Sequence, residues 1–429
     1  LAGIGAAMRF PSKLAATALA TLLQACATAP VPVAAPQASA VAEIREPVTI
    51  LVSIDGFRPD YLERGVTPIL SRLAREGVTA PMRPSFPSKT FPNHWTLVTG
   101  LRPDRHGIVA NRMEDPGRPD EVFTMAVDDP FWWSDAQPIW VDAEKAGIRT
   151  ATMFWPGSNV PFGGTVQPGG HHKVTGGTRP SDWQQFNQAV SGEQRVNGVL
   201  DWLRRPAATR PRLVTLYFDT VDTAGHALGP NDRRTTDSVA DVDRMIGQLV
   251  EGLAAMRQPA NLVIVADHGM AETSDKRMVM LGLPADSYRL VESGPYAALT
   301  PAPGREALVE KALLGRHPHM ECWRKRDIPA RLHYGRNPRV PAILCLAESG
   351  WLISDKPAKG PFTQGAHGYD HASPDMAALF IAHGPAFRSA QLPAFDNVDV
   401  YPLLRDLIGL PAKKDVDGDG ASFGRVVAR

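Results

Sequence analysis

A few residues of metal- and phosphate-binding type stand where an α/β chain gathers its chemistry: Asp55, Thr90, Asp222, His226, Asp267, His268 and His367. Asp55 closes the β-branched run Val48 to Ile54, Asp222 follows the apolar run Leu213 to Phe218, and Asp267-His268 breaks off Leu262 to Ala266. In open α/β sheets sites form beyond the carboxyl ends of strands, so these side chains are expected to converge there. One strand-end aspartate is usually a turn residue or a helix cap; three of them with adjoining histidines form a pattern. Asp222 and His226 lie four residues apart, one helical turn. His367 sits in Gly365-Ala-His-Gly-Tyr-Asp370, a glycine-flanked loop that lets a ligand approach a metal closely. Carboxylate oxygen mixed with imidazole nitrogen suits Zn²⁺ better than Mg²⁺, which prefers oxygen alone. Two adjacent ions could clamp the attacking and leaving oxygens of a phosphoryl displacement.

Thr90 is the candidate nucleophile. It lies in Pro87 to Gly100, two residues before Pro92 and ahead of a short run that ends at a glycine. That pattern puts it at a helix N-terminus, where the macrodipole favours a phosphate or an alkoxide. The plainer reading of a threonine there is an N-cap.

Val48–Ile54, Thr150–Trp155, Leu213–Phe218, Leu262–Ala266 and Met376–Ala382 read as strands, the first as a continuously buried one. Thr67 to Glu76, closed by Gly77, reads as a capped helix, and Val239–Met256 carries apolar residues at helical spacing. Strands alternating with helices imply an α/β fold with a largely parallel central sheet flanked by helices. Residues 270–365, proline-rich and irregular, are expected to cover part of the sheet. The expected organisation is a signal segment over 1–26, a tether over 27–46, a catalytic domain over 47–412 containing that insertion, and a tail over 413–429. Asp415-Val-Asp-Gly-Asp419-Gly looks like the start of a calcium loop, but Val426 stands where the bidentate glutamate is needed, so a surface turn is expected.

Composition sets the limits. With 429 residues, 43% hydrophobic, 21% charged and a net charge of +1, the chain is long enough for a large core. It has no basic run for nucleic-acid backbone, so no sequence-specific nucleic-acid binding is expected and phosphate recognition must be local. Arg9 and Lys13 precede the apolar run Leu14 to Leu23, too short for a permanent membrane span. That run ends in Leu23-Gln24-Ala25-Cys26, which resembles a bacterial lipobox, with an Ala-x-Ala cut as the competitor. The protein is therefore expected to be exported, to the periplasm, to the outer membrane through a lipid anchor at Cys26, or beyond the cell. Cys322 and Cys345 remain, a natural disulfide in an oxidising compartment, with two buried thiols as the alternative.

Several segments together resemble the bacterial nucleotide pyrophosphatase/phosphodiesterases of the alkaline phosphatase superfamily. They are Ser53-Ile-Asp-Gly-Phe-Arg58, Pro84-Ser-Phe-Pro-Ser-Lys-Thr-Phe-Pro-Asn-His94, Leu97-Val-Thr-Gly-Leu-Arg-Pro-Asp-Arg-His-Gly107, Asp222 to Pro230, Ala266-Asp-His-Gly-Met270, Gly365 to Asp370 and Phe395-Asp-Asn-Val-Asp-Val-Tyr401. The resemblance spans Val48 to Leu410 and implies an alkaline-phosphatase-like fold. It implies two zinc ions, one held by Asp55, Thr90, Asp267 and His268 and the other by Asp222, His226 and His367. Thr90 would be the nucleophile, passing through a phospho-threonine, and Asn111 would donate to a phosphoryl oxygen. Phe91 and Phe186 would sandwich a nucleobase, the alternative for Phe186 being an ordinary core aromatic. The implied substrate is a nucleotide or another phosphodiester, cleaved to a nucleoside 5′-monophosphate. Lys89 either attracts the phosphate or faces solvent, and His371 is given no ligand role. His94, His106 and His171-His172 read as structural hydrogen-bonders.

Three rivals remain open on sequence. A phosphomonoesterase would keep the metals but add cations, which Phe154-Trp-Pro-Gly-Ser-Asn159 does not supply. A phosphodiesterase for choline phospholipids would keep the same core. A surface-tethered binding lipoprotein would have lost part of the ligand set, which is complete here.

Overall fold

The first strand, β1 (Val48–Ile54), is buried at every position, Thr49 and Ser53 included, as its mainly apolar, β-branched run leads one to expect of a central strand. The computed structural model describes residues 43–167 and 174–428; the signal segment with Cys26, most of the tether and His171-His172 lie outside the described residues. After β1 come α1 (Pro68–Glu76), β2 (Val78–Arg83), α2 (Thr90–Thr99), β3 (Thr150–Met153), β4 (Asp182–Gln184), α3 (Gly192–Arg204) and β5 (Leu213–Phe218). Next are α4 (Thr220–Leu228), α5 (Arg233–Ala255), β6 (Ala260–Val265) and β7 (Ala271–Ser274). The excursion that follows holds β8 (Tyr288–Glu292), β9 (Tyr296–Pro301), α6 (Glu306–Leu313), β10 (Gly315–His317), β11 (Met320–Arg324) and β12 (Ile343–Ala347). The chain returns through β13 (Thr363–Ala366), β14 (Ala378–His383) and β15 (Ala390–Gln391).

The central sheet runs β15-β2-β14-β6-β1-β5-β3-β4. Its pairings are parallel except those of β14, which runs antiparallel to β6 and β2. The expected α/β sheet is therefore present, largely parallel with one reversed strand.

Some local expectations are corrected. β3 stops at Met153, because Phe154 turns into the left-handed region with φ 53°. The helix expected from Val239 begins at Arg233, where Asp232 caps it through the Arg234 N–H. The strand expected over 376–382 runs from Ala378 to His383. Thr67 does not cap α1; the Asp243 carboxylate of α5 accepts from the N–H groups of Ile69 and Leu70 instead, at 3.2 and 2.7 Å. A tertiary contact has taken the place of the local cap.

β8, β9, β12, β11 and β10 form an antiparallel sheet with two buried faces, which is why its sequence lacks clean polar alternation. Tyr296, Ala298, Leu344 and Leu346 pack into the main core, while Ala297, Leu299, Ile343 and Cys345 form a second core with Val309 and Leu313 of α6. Cys322 and Cys345 are directly opposed in β11 and β12 and form a disulfide. With a sequence separation of 23, this bond constrains the unfolded chain by roughly 2–4 kcal/mol. The Cys322→Ser/Cys345→Ser variant is expected to lose that much unfolding free energy in denaturant titrations; equal stability would contradict a structural role.

The C-terminal segment is packed: Phe423 and Val426 are buried, and Arg105 binds Asp415 and Asp417 at 2.6 and 2.9 Å. A guanidinium thus neutralises the carboxylates of the calcium-like motif, in keeping with a turn. Among the described residues no helix is long and apolar enough to cross a membrane.

Helix α2 rests on His106. Its Nδ1 accepts from the Ile108 N–H, so its proton is on Nε2, which lies 3.1 Å from the Pro92 carbonyl and from Thr96 Oγ1. Burial holds this imidazole neutral, with its pKa lowered to about 3. The unfolded chain takes up the proton below about pH 6.5 and the native state does not, so stability falls as pH drops from there towards 3. The slope is about 1.4 kcal/mol per pH unit for this one group. His106→Gln, which keeps a donor and an acceptor, is expected to reduce the acid slope of unfolding free energy by that amount. Identical slopes would contradict the assignment.

Candidate metal centre and substrate cavity

The returning segment β13 pairs antiparallel with β7, Ala366 opposite Ala271. β7 begins shortly after Asp267-His268 and β13 ends just before His367, so this ladder delivers His367 to the end of β6. The rings of His268 and His367 stack with centroids 3.5 Å apart. Gly56 (φ 68°) follows Asp55, and a Cβ there would stand 3.1 Å from the Asp222 Cα; glycine lets the end of β1 approach α4. Asp222 and His226 both lie on α4, one turn apart as expected.

Asp55 and Asp267 each have one oxygen tied down and the other without a partner. Asp55 Oδ2 accepts from the Tyr217 hydroxyl at 2.6 Å, and Asp267 Oδ1 accepts from the Gly56 N–H at 3.2 Å. Asp55 Oδ1, Asp267 Oδ2 and Asp222 Oδ1 are buried without hydrogen-bond partners. The imidazoles follow the same rule. Nδ1–H of His226 donates to the Gly365 carbonyl, that of His268 to the Gly269 carbonyl and that of His367 to the Ser88 carbonyl. All three Nε2 atoms therefore carry bare lone pairs. Those of His226 and His367 face each other at 3.0 Å, and each lies within 3.6 Å of Asp222 Oδ1. His268 Nε2 lies 3.0 Å from Asp267 Oδ2, 3.5 Å from Asp55 Oδ1 and 3.3 Å from Thr90 Oγ1.

Opposed lone pairs and bare carboxylate oxygens repel at these distances unless cations lie between them. Burial and the neighbouring aspartates push the carboxyls of Asp55 and Asp267 well above the usual range. Burial and the two adjacent imidazoles push His367 well below its ordinary value. The ligating atoms fall into two groups, Asp55, Asp267 and His268, and Asp222, His268 and His367, each spanning at most 4.8 Å. His268 borders both, but its single lone pair could serve only one ion, and its shortest contact is to Asp267. His226 Nε2 lies beside the other group, 3.0 Å from His367 Nε2. The donor set fits a pair of borderline metal ions.

Thr90 is the first residue of α2, and the N-cap is Lys89, so the N-cap reading of Thr90 is corrected. Asn111 Oδ1 accepts from the Phe91 N–H at 2.9 Å, which leaves the Asn111 NH₂ free to donate into the cavity. Lys89 does not face solvent: its side chain is 12% exposed, with its ammonium 4.0 Å from Glu292 of the covering sheet. His94 donates from Nδ1 to the Thr90 carbonyl and accepts at Nε2 from Ser53. His371 lies beside Asp370, outside both ligand groups.

From this centre a cavity of about 500 Å³ opens, lined by Thr90, Phe91, Asn111, Phe154, Phe186 and Tyr217 among others. Phe186 is 47% exposed, so it is not the core aromatic that the sequence left open. Phe154 to Asn159 line the same cavity. Gly157 (φ 79°) makes that turn possible, since a Cβ would meet Trp95 and Trp133 within 2.8 Å. No lysine or arginine lines the cavity among the described residues. Sequence reasoning missed Tyr217 and the Met125–Val127 segment. The one signal for Tyr217 was its place near the carboxyl end of a strand, and that signal is the same for a core tyrosine.

The sequence profile of the family described as "Type I phosphodiesterase / nucleotide pyrophosphatase" matches residues 49–370. The chain belongs to that family. It is 38% identical over 371 residues to a bis(5′-adenosyl)-triphosphatase of Xenopus laevis, covering 85% of this chain and 78% of the relative. It is 37% identical over 372 residues to human ectonucleotide pyrophosphatase/phosphodiesterase family member 5, covering 85% and 74%. A structure of murine ectonucleotide pyrophosphatase/phosphodiesterase 5, an inactive threonine-to-alanine variant in complex with AMP, superposes with a TM-score of 0.82 at 34% identity. It covers 89% of this chain and all of the other. As a family member the chain is a phosphoric diester hydrolase of the nucleotide pyrophosphatase type, with the alkaline-phosphatase-like fold expected from its sequence.

Proposed function

We propose that this protein is an exported two-zinc phosphodiesterase that cleaves nucleotide phosphodiester and pyrophosphate bonds and releases nucleoside 5′-monophosphates. The observation that carries this reading is the set of bare carboxylate oxygens and imidazole lone pairs gathered at one end of the cavity that Thr90 lines, with His268 Nε2 3.3 Å from Thr90 Oγ1. Asp55, Thr90, Asp267 and His268 would hold one zinc and Asp222, His226 and His367 the other; when bound, the pair supplies positive charge to the attacking and leaving oxygens.

Thr90 Oγ1 attacks phosphorus in line, and the bond from phosphorus to the leaving oxygen breaks as the new bond forms. The N-terminus of α2 favours the hydroxyl's alkoxide form. Water then cleaves the phospho-threonine, restoring Thr90 and freeing the 5′-monophosphate. The Asn111 NH₂ donates to a non-bridging oxygen, a neutral contact that matches a diester's single charge. Phe91 and Phe186 offer the nucleobase two aromatic faces, which tolerate any base.

The AMP complex of a murine relative supports a nucleotide as substrate and a monophosphate as product. The lack of a cationic lining favours a diester over a monoester. The lipobox-like Leu23-Gln24-Ala25-Cys26 and the disulfide support a bacterial exported protein, anchored through Cys26 in the outer membrane or released to the periplasm. A panel of dinucleotide, cyclic dinucleotide, ATP and nitrophenyl monoester tests the reading. Nucleoside 5′-monophosphate is the expected product, with diesters turned over faster than the monoester. A faster monoester reaction, or a 3′-monophosphate product, would contradict it.

A further inference from the structure

Phe186 lies on the irregular loop after β4 and is 47% exposed, yet a stacking surface must be held in place before a base arrives. Its ring meets Phe154 and Tyr217 edge-on, with centroids 5.4 and 5.8 Å away. Behind these rings stands Arg195, in the first turn of α3 and only 3% exposed. Its guanidinium carbon is 4.9 Å from the Phe154 centroid and 5.6 Å from that of Phe186.

Arg195 is bonded to three segments of the cavity wall. Nε–H donates to the Val190 carbonyl at 3.0 Å, at the end of the loop that carries Phe186. Nη1 donates to the Tyr217 carbonyl at 3.0 Å and to Asp219 Oδ1 at 2.6 Å, where β5 passes into the helix bearing Asp222. A buried ion pair costs desolvation and is weak evidence for stability alone. This one fixes a planar cation behind two rings, one of them on a residue in the left-handed region.

We infer that Arg195 is a positioning residue that sets nucleotide specificity, holding Phe186 and Phe154 as a preformed wall for the base. This rests on the reading of Phe186 as a base-stacking residue. Lysine cannot replace the planar fork, so Arg195→Lys loosens the wall while keeping the charge.

The test measures kcat and KM of the metal-loaded enzyme on p-nitrophenyl thymidine 5′-phosphate and on bis(p-nitrophenyl) phosphate, which has no base. Wild type, Arg195→Lys, Phe186→Ala and the double variant are compared. Phe186→Ala is expected to lower the nucleotide-over-baseless ratio of kcat/KM about tenfold, the scale of one stacked base. Arg195→Lys should lower the ratio in the same way through KM, and the double variant should lose less than the two single losses combined, since both act through Phe186. If thermal melting shows Arg195→Lys unfolded, Asp219→Asn, which keeps an acceptor but frees the guanidinium's anchor, should shift the ratio in the same direction. An unchanged ratio in folded Arg195→Lys or Asp219→Asn, or additive losses in the double variant, overturns the inference while the stacking reading stands. An unchanged ratio in Phe186→Ala overturns both.

Discussion

Thr90→Ala is expected to abolish turnover of nucleotide diesters, by on the order of 10⁴-fold or more, while the protein stays folded. The rate effect is large because the covalent route loses its attacking atom, and the neighbouring hydroxyls of Tyr217 and Ser88 are already committed as donors. Ser88, two residues away, donates its hydroxyl to the Tyr369 carbonyl and is fully buried. The stability effect is small because Thr90 is not the N-cap of α2, and its hydroxyl makes one hydrogen bond among the described residues, to His268 at 3.3 Å. Losing one such bond costs about 1 kcal/mol. AMP should still bind, since Asn111, Phe91 and Phe186 are intact; calorimetry with AMP separates binding from chemistry. Near-normal turnover would rule out Thr90 as the nucleophile.

Removal of divalent metal is expected to reduce activity on the order of 10³-fold or more, because several kcal/mol of charge stabilisation at phosphorus disappears. Zn²⁺ should restore it and Mg²⁺ should not, because three of the donors are imidazole nitrogens and Mg²⁺ binds oxygen. The apo protein should also melt at a lower temperature than the zinc-loaded one, since the opposed Nε2 atoms of His226 and His367 are left without a cation. Asp222→Asn should lose one ion selectively, because Asp222 Oδ1 lies beside both of those imidazoles. Full activity after exhaustive chelation, with no zinc detected by elemental analysis, would sink the two-metal account and leave the binding-lipoprotein reading standing.

What could be read from the sequence follows a physical rule. β1, β5 and β6 were legible because strands buried on both faces are written as mainly apolar runs that stop at a polar residue. The Asp222–His226 pair was legible because helical spacing is fixed geometry. The covering sheet was not resolved into strands, since each of its two faces packs on a different core and no alternating pattern marks it. Tyr217 was hidden because a tyrosine at the end of an apolar run looks like core, and its bond to Asp55 joins residues 162 apart. Arg195 was hidden for a similar reason: one cation in an amphipathic helix gives no sign that it is buried. The cap of α1 came from Asp243, about 170 residues downstream, which no local pattern can announce.

X-ray diffraction from crystals of the purified protein, recorded on both sides of the zinc absorption edge, tests the central claim most directly. Two anomalous peaks are expected beside Thr90 Oγ1, one about 2.0–2.2 Å from the inward atoms of Asp55, Asp267 and His268, the other equally close to those of Asp222, His226 and His367. A single peak, a pair elsewhere in the molecule, or none in active crystals would contradict it.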